Sequence, residues 1–187
     1  MEFIKEYSNI LGKSFCIHTI VKFEKDENKL KGVTVKGFDE NKKKSLDLHS
    51  NNWTGEGWSV IYSVLQDALH SSIIKYYDEL GDKFGPYPIT ADSGFQIQHY
   101  KANEGKYEFH NDFTLDERGF RTLAYIFYLN DVEEGGETEF YNGSKIKAER
   151  GKLLIFPALW TYAHKGTMPI SNDKYIITGW IYSKFAI

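Results

Sequence analysis

The sequence predicts an α+β fold: a double-stranded β-helix, or jelly roll, with N-terminal helices packed on its outer face. Three observations predict it. The first 90 residues or so read as helical and irregular, with helical apolar spacing from Trp58 to Leu80. From Phe95 onward, short aromatic or β-branched runs follow one another, separated by Gly, Asn, Asp or Pro. No helix-length segments alternate with those runs, which argues against βαβ units and for two packed sheets.

The elements follow in chain order. Phe3 to Tyr7 reads as a short edge strand. Ser14 is a plausible N-cap for a helix through about Lys25, with Phe15, Ile17, Ile20, Val21 and Phe23 as its apolar positions. Residues 26 to 56 are rich in Asn, Lys, Asp and Gly and read mostly as loop, with a strand at Gly32 to Gly37. In the long helix, Ile61, Val64, Leu65, Leu69, Ile73, Ile74 and Tyr77 recur at threes and fours, giving one buried stripe that buttresses a sheet. Gly81 is its natural stop. Gly85-Pro86-Tyr87-Pro88 then breaks the chain. Strands are expected at Phe95 to Tyr100, Tyr107 to His110, Thr122 to Leu129, Thr138 to Tyr141, Lys152 to Phe156 and Tyr175 to Tyr182.

A chain of 187 residues suits one domain, here 1–187, and is short for two. Aromatics reach 16%, which fits packed sheets and cupped sites. The net charge of −3 provides no positive field for a phosphate backbone, so nucleic acid is not an expected partner, and Lys42-Lys43-Lys44 reads as a solvated loop. Cys16 is the single cysteine, which rules out an intrachain disulfide and a thiolate zinc site. The opening residues carry acids and lack a signal-like apolar core. No apolar stretch reaches the roughly 18 residues that span a bilayer. A soluble protein in a reducing, cytoplasmic compartment is the expectation, with no membrane partner.

The chemistry is concentrated in the second half. His110 and Asp112 lie two residues apart, and positions i and i+2 of a strand share a face. His164 follows 52 residues after Asp112, room for about four strands before the chain returns. Two imidazoles and one carboxylate form the facial ligand set of non-haem Fe(II) oxygenases, which leaves coordination positions open. Lys174, ten residues further and opening the last strand, is placed to supply the cation that a dicarboxylate co-substrate needs deep in such a pocket. His18, His49, His70 and His99 have no comparable partners in sequence, and His99 is expected to face away from Tyr100.

These residues resemble a family. Tyr100 with Gly105-Lys106-Tyr107-Glu108-Phe109-His110-Asn111-Asp112 is similar to the metal-binding strand of the prolyl 4-hydroxylases, which are Fe(II)- and 2-oxoglutarate-dependent dioxygenases. Arg121 to Leu129, the stretch Asn130 to Phe140 with its Gly135-Gly136-Glu137-Thr138 turn, Gly151 to Pro157, Trp160 to Gly166 and Lys174 to Trp180 resemble its later segments in the same order. The likeness runs from about Phe95 to Tyr182, whereas the first 90 residues match only in layout.

The resemblance implies roles. His110, Asp112 and His164 would hold Fe(II), with O2 as the second substrate. 2-Oxoglutarate would pair its distal carboxylate with Lys174 and accept hydrogen bonds from Tyr100, Thr138 and Tyr128. Arg121, Tyr107 and Trp180 would line the substrate cavity, and ascorbate is admitted as an accessory cofactor. The implied reaction hydroxylates a prolyl residue in a peptide or protein and releases succinate and CO2. Residues 1–90 would then be helical support and substrate access, with loops near 37–56 and 81–93 closing over the peptide, and 91–187 the jelly-roll core. The same chemistry on free proline or another small molecule, a non-enzymatic jelly-roll binding module, and a zinc hydrolase or isomerase stay open at this point.

Overall fold

Apolar side chains alternate along the central strands and fill two separate cores, one on each face of the same sheet. The computed structural model describes residues 3–81 and 89–184. Its strands are β1 (Lys5–Tyr7), β2 (Leu30–Lys31), β3 (Lys43–Lys44), β4 (Leu46–His49), β5 (Ile89–Asp92), β6 (Gln96–Tyr100), β7 (Lys106–His110), β8 (Leu115–Asp116), β9 (Gly119–Tyr128), β10 (Thr138–Phe140), β11 (Lys145–Ile146), β12 (Leu153–Pro157), β13 (His164–Gly166) and β14 (Lys174–Ser183), with helices α1 (Lys13–Lys25) and α2 (Trp58–Leu80). Nine strands form a large sheet in the order β1-β12-β9-β14-β6-β4-β2, with β5 on β14 and β8 on β9; the small sheet runs β11-β10-β13-β7-β3. All the named pairings are antiparallel, and the two sheets make the jelly roll.

On β9, Leu123, Tyr125 and Phe127 point outward to the helices, while Ala124, Ile126 and Tyr128 point between the sheets. This two-residue period is what a sheet buried on both faces requires. The outer core joins Cys16 and Phe23 of α1 with Trp58, Ile61, Leu65, Leu69, Ile73 and Tyr76 of α2. Each large apolar side chain buried there contributes about 1.5–3 kcal/mol. The helices therefore cover the outer face of the large sheet and leave its other face to the cavity.

Several expectations shift. α1 starts one residue before Ser14, with Gly12 as an extended N-cap that makes no side-chain bond. Its buried stripe is Cys16, Thr19 and Phe23, at the i, i+3, i+7 spacing of one helix face, while Ile17 and Val21 are exposed. α2 spans the expected residues and ends at Gly81 with φ 71°, a left-handed position that suits glycine. Val64 and Ile74 lie on its exposed side.

Gly32 to Gly37 is not a strand: only an isolated bridge between Thr34 and Gly37 forms there. Leu46–His49, read as loop, instead pairs with β6 in the large sheet. Lys42-Lys43-Lys44 is likewise no solvated loop, since Lys43 is buried against Asp47 and pairs with β7. The Gly85 to Pro88 break and most of the expected 81–93 loop lie outside the described residues. No helix among the described residues is long and apolar enough to cross a membrane.

Candidate metal and co-substrate site

The small sheet brings the three ligand candidates together. His164, at the start of β13, is the direct cross-strand partner of His110 at the end of β7. Asp112 lies two residues past the end of β7, so it reaches the cluster from a loop and not by strand alternation. Its Oδ1 is 3.9 Å from His110 Nε2 and its Oδ2 is 3.7 Å from His164 Nε2. One donor atom from each residue lies within 4.8 Å of the other two.

Both imidazoles are aimed by their backbones. His110 Nδ1 donates to the Glu108 carbonyl at 2.9 Å, and His164 Nδ1 donates to the Tyr162 carbonyl at 3.1 Å. A carbonyl only accepts, so Nδ1 carries the proton in each ring and Nε2 presents a lone pair to the cluster. Burial, reinforced by nearby His164, lowers the His110 pKa to about 4, which keeps it the neutral, ligating form. Two imidazole nitrogens and a carboxylate make a donor set that fits a divalent transition metal such as Fe(II).

A bulge explains why Tyr107 also reaches the site. Between His164 and Gly166, two residues on β13, the partner strand advances three residues from His110 to Tyr107. The extra residue in β7 changes the side-chain parity, so Tyr107 and His110 face the same side despite their odd separation. Their rings stack at 3.6 Å with an interplanar angle of 12°.

The large sheet supplies the opposite wall. Lys174, Ile176, Thr178 and Trp180 alternate along β14, beside Gln98 and Tyr100 of β6 and Ile126 of β9. With Tyr107, His110, Asp112, Thr138, His164 and Gly166 they enclose one cavity. Lys174 is 2% exposed and is the cross-strand partner of Tyr100. Its ammonium sits 5.7 Å from the Tyr100 ring and 5.6 Å from the Tyr128 ring. Among the described residues it makes no ion pair, and burial, only partly offset by Glu137, lowers its pKa to about 8. A buried ammonium without a carboxylate is costly, which fits a site built for an incoming carboxylate.

The other sequence candidates are placed as follows. Thr138 lines the cavity, and its hydroxyl is 2.8 Å from that of Tyr128, which stands behind it in the inner core. The Tyr100 hydroxyl donates to Gln98 Oε1 at 2.6 Å. Burial raises the pKa of all three site tyrosines, Tyr100, Tyr107 and Tyr128, so each hydroxyl stays protonated and able to donate. Arg121 is off the cavity wall: its guanidinium stacks on Trp180 at 3.7 Å and donates to the Tyr182 hydroxyl at 2.9 Å and the Asp112 carbonyl at 3.3 Å. His99, which has no ligand-type partner in sequence, lies 2.8 Å from Asp173 and stacks on Tyr175, facing away from Tyr100 as expected.

Sequence reading missed Gln98, Ile126, Ile176 and Thr178 as cavity residues. The two-residue period counted from Tyr100 and Lys174 was the signal that would have found Gln98, Ile176 and Thr178.

Comparison with known proteins agrees with this arrangement. Residues 95–182 match the 2OG-Fe(II) oxygenase superfamily. Probable prolyl 4-hydroxylase 3 of Arabidopsis thaliana is 32% identical over 127 residues, covering 51% of this chain and 44% of that protein. Probable prolyl 4-hydroxylase 10 of the same plant is 27% identical over 207 aligned positions, covering 94% and 67%. The chain thus spans less than half the length of the first of these relatives and about two thirds of the second. A solved prolyl hydroxylase from Trichoplax adhaerens, in complex with a peptide fragment of the hypoxia inducible factor oxygen degradation domain, superposes with a TM-score of 0.79. That match is 20% identical and covers 98% of this chain and 84% of the other, which establishes the shared jelly-roll fold.

Proposed function

We propose that this chain, a prolyl 4-hydroxylase-like member of the 2OG-Fe(II) oxygenase superfamily, hydroxylates a prolyl residue in a peptide or protein. One observation carries the reading. A buried ammonium that makes no ion pair among the described residues, Lys174, faces the same cavity as a His-Asp-His cluster, which supports a metal and a dicarboxylate being accommodated together.

When bound, Fe(II) and 2-oxoglutarate supply the oxidising chemistry, in which O2 is consumed and succinate, CO2 and hydroxylated substrate are formed. His110, Asp112 and His164 hold the metal. Lys174 pairs with the distal carboxylate of the co-substrate in a charge-assisted bond. Thr138 donates to the same carboxylate, and Tyr128 fixes the Thr138 hydroxyl from behind. Tyr100 closes the wall beside Lys174 with its hydroxyl held by Gln98. The inner-core side chains Ile126 and Ile176 keep water off the reacting groups. Arg121 and Trp180, stacked together at the Asp112 side, and Tyr107 line the approach of the substrate.

The peptide reading is supported by the relatives' names and by the peptide in the Trichoplax complex. Ascorbate belongs to the same proposal as an accessory reductant, and the single, buried Cys16 favours a reducing compartment. We read 1–187 as one functional domain, because both helices share a core with the sheet that carries Lys174.

The test is succinate release by purified protein with Fe(II), 2-oxoglutarate and a length series of proline-containing peptides. Turnover that rises with extended proline-rich peptides supports the proposal. Turnover of free proline alone moves the substrate to small molecules, and absence of succinate with every substrate and without one removes the activity.

A further inference from the structure

Beside the metal cluster lies a buried ion pair that the reaction scheme leaves unused. Lys43 Nζ is 2.6 Å from Asp47 Oδ2, and the two side chains are each 3% exposed. The Asp47 carboxylate has two further donors: Gln96 Nε2 donates to Oδ2 at 2.7 Å and Ser45 Oγ donates to Oδ1 at 2.8 Å. Gly32 covers the cluster, and a Cβ there would meet Ser45 Oγ at 2.1 Å.

The location is specific. Lys43 belongs to β3, at the edge of the small sheet, and Asp47 to β4 of the large sheet. The five residues from Lys43 to Asp47 therefore carry the chain from one sheet to the other, and the ion pair closes that crossing. Lys43 is the cross-strand partner of Tyr107, and Glu108 donates its backbone N–H to the Lys42 carbonyl at 2.8 Å. The Lys43 ammonium lies 5.2 Å from the centre of the Tyr107 ring, and that ring is the one stacked on His110.

We propose that Lys43 and Asp47 are positioning residues, which hold Tyr107 against the His110 imidazole and so fix the metal-binding edge of the cavity. The inference deepens the function proposed above and rests on His110 being a metal ligand. A buried ion pair is weak evidence for stability, since apolar residues of similar volume often serve as well. Its use here is geometric: the ammonium needs an acid from the other sheet, which locks β3, and with it the bulged strand β7, at one spacing. Outer partners of metal ligands typically alter metal affinity by about 10–100-fold when removed.

The test is titration of the full chain with Co(II), followed by visible absorption, alongside thermal melting. Lys43→Met leaves Asp47 unpaired, whereas Lys43→Met/Asp47→Leu replaces the pair with apolar bulk, and Tyr107→Leu removes the ring while keeping the pair. The double variant and Tyr107→Leu are expected to melt cooperatively yet bind Co(II) about tenfold more weakly. If Lys43→Met alone fails to fold, the double variant and Tyr107→Leu decide the matter. Unchanged Co(II) affinity in either folded variant overturns the positioning role while leaving the metal site intact. No Co(II) binding by the unaltered chain overturns the metal reading itself, and the positioning role with it.

Discussion

His110 and His164 are direct cross-strand partners, and their Nε2 atoms reach the two oxygens of one carboxylate, Asp112, at 3.9 and 3.7 Å. Residues far apart in the chain are thus held by one rung of a ladder, each with its Nδ1 proton committed to a backbone carbonyl. The two imidazoles are preorganised by the sheet itself, and Asp112 joins them from the loop that follows β7.

Asp112→Ala and His110→Ala are expected to abolish succinate release and bound iron while the protein still folds. Both side chains stand at the cavity edge of the small sheet, outside the cores. His164 is different, because its ring packs 4.8 Å from Phe156 and 5.6 Å from Phe140. His164→Ala should therefore also cost about 1–3 kcal/mol of stability. Iron quantification with circular-dichroism melts separates the two effects.

Lys174→Met should raise the 2-oxoglutarate requirement by about 10–100-fold, the loss of one charge-assisted bond of roughly 1.5–3 kcal/mol. Iron affinity should stay the same. A comparable loss of iron in this variant would argue against the assignment.

The same variant should be more stable than the unaltered protein in the absence of ligand, and the advantage should depend on pH. The folded pKa of Lys174 is about 8 against an ordinary 10.5. Between those values the unfolded chain binds more protons, so stability rises with pH there. Below pH 8 the full penalty applies, roughly 3 kcal/mol. Denaturant titrations at pH 7.5 and pH 10 should show the gap between Lys174→Met and the unaltered protein shrinking at the higher pH.

Metal-free protein should lose stability as pH falls from about 6.5 to about 4, through His110. Burial, then the neighbouring His164, depresses its pKa to about 4 from 6.5, so within that window the unfolded chain takes up the proton and the folded chain does not. At pH 5 the loss is about 2 kcal/mol relative to pH 7. His110→Gln should lack this component, and equal pH sensitivity in both proteins would contradict the burial argument.

Gly135→Ala should destabilise the protein by more than about 2 kcal/mol, and Gly143→Ala by only about 1 kcal/mol. Both glycines have positive φ, 72° and 88°. At Gly135 an added Cβ would also meet the Met168 carbonyl oxygen at 2.3 Å, whereas at Gly143 nothing among the described residues lies within 4 Å. Urea unfolding of both variants gives the comparison directly.

What could be read from the sequence was whatever depends on local period and residue chemistry. α2 follows from apolar positions at threes and fours, and the long central strands from their β-branched and aromatic runs. The two imidazoles, the carboxylate and the lysine were legible as residue types in a familiar order. Shorter pieces were not: β13 has three residues and no apolar run, yet it carries His164. The four residues of β4 hide a buried acid, so its sequence reads as loop.

The sequence alone determined which groups are available and which long elements carry them, because propensity and periodicity act within a few residues. The tertiary structure alone decided which groups meet. Lys43 in a basic run and Asp47 in a polar stretch look solvated until two sheets close over them and leave each as the other's partner. Tyr107 joins His110 through a bulge that exists only in the pairing of β7 with β13. Pairing register and desolvation are properties of strands brought together from distant parts of the chain, and a local pattern does not contain them.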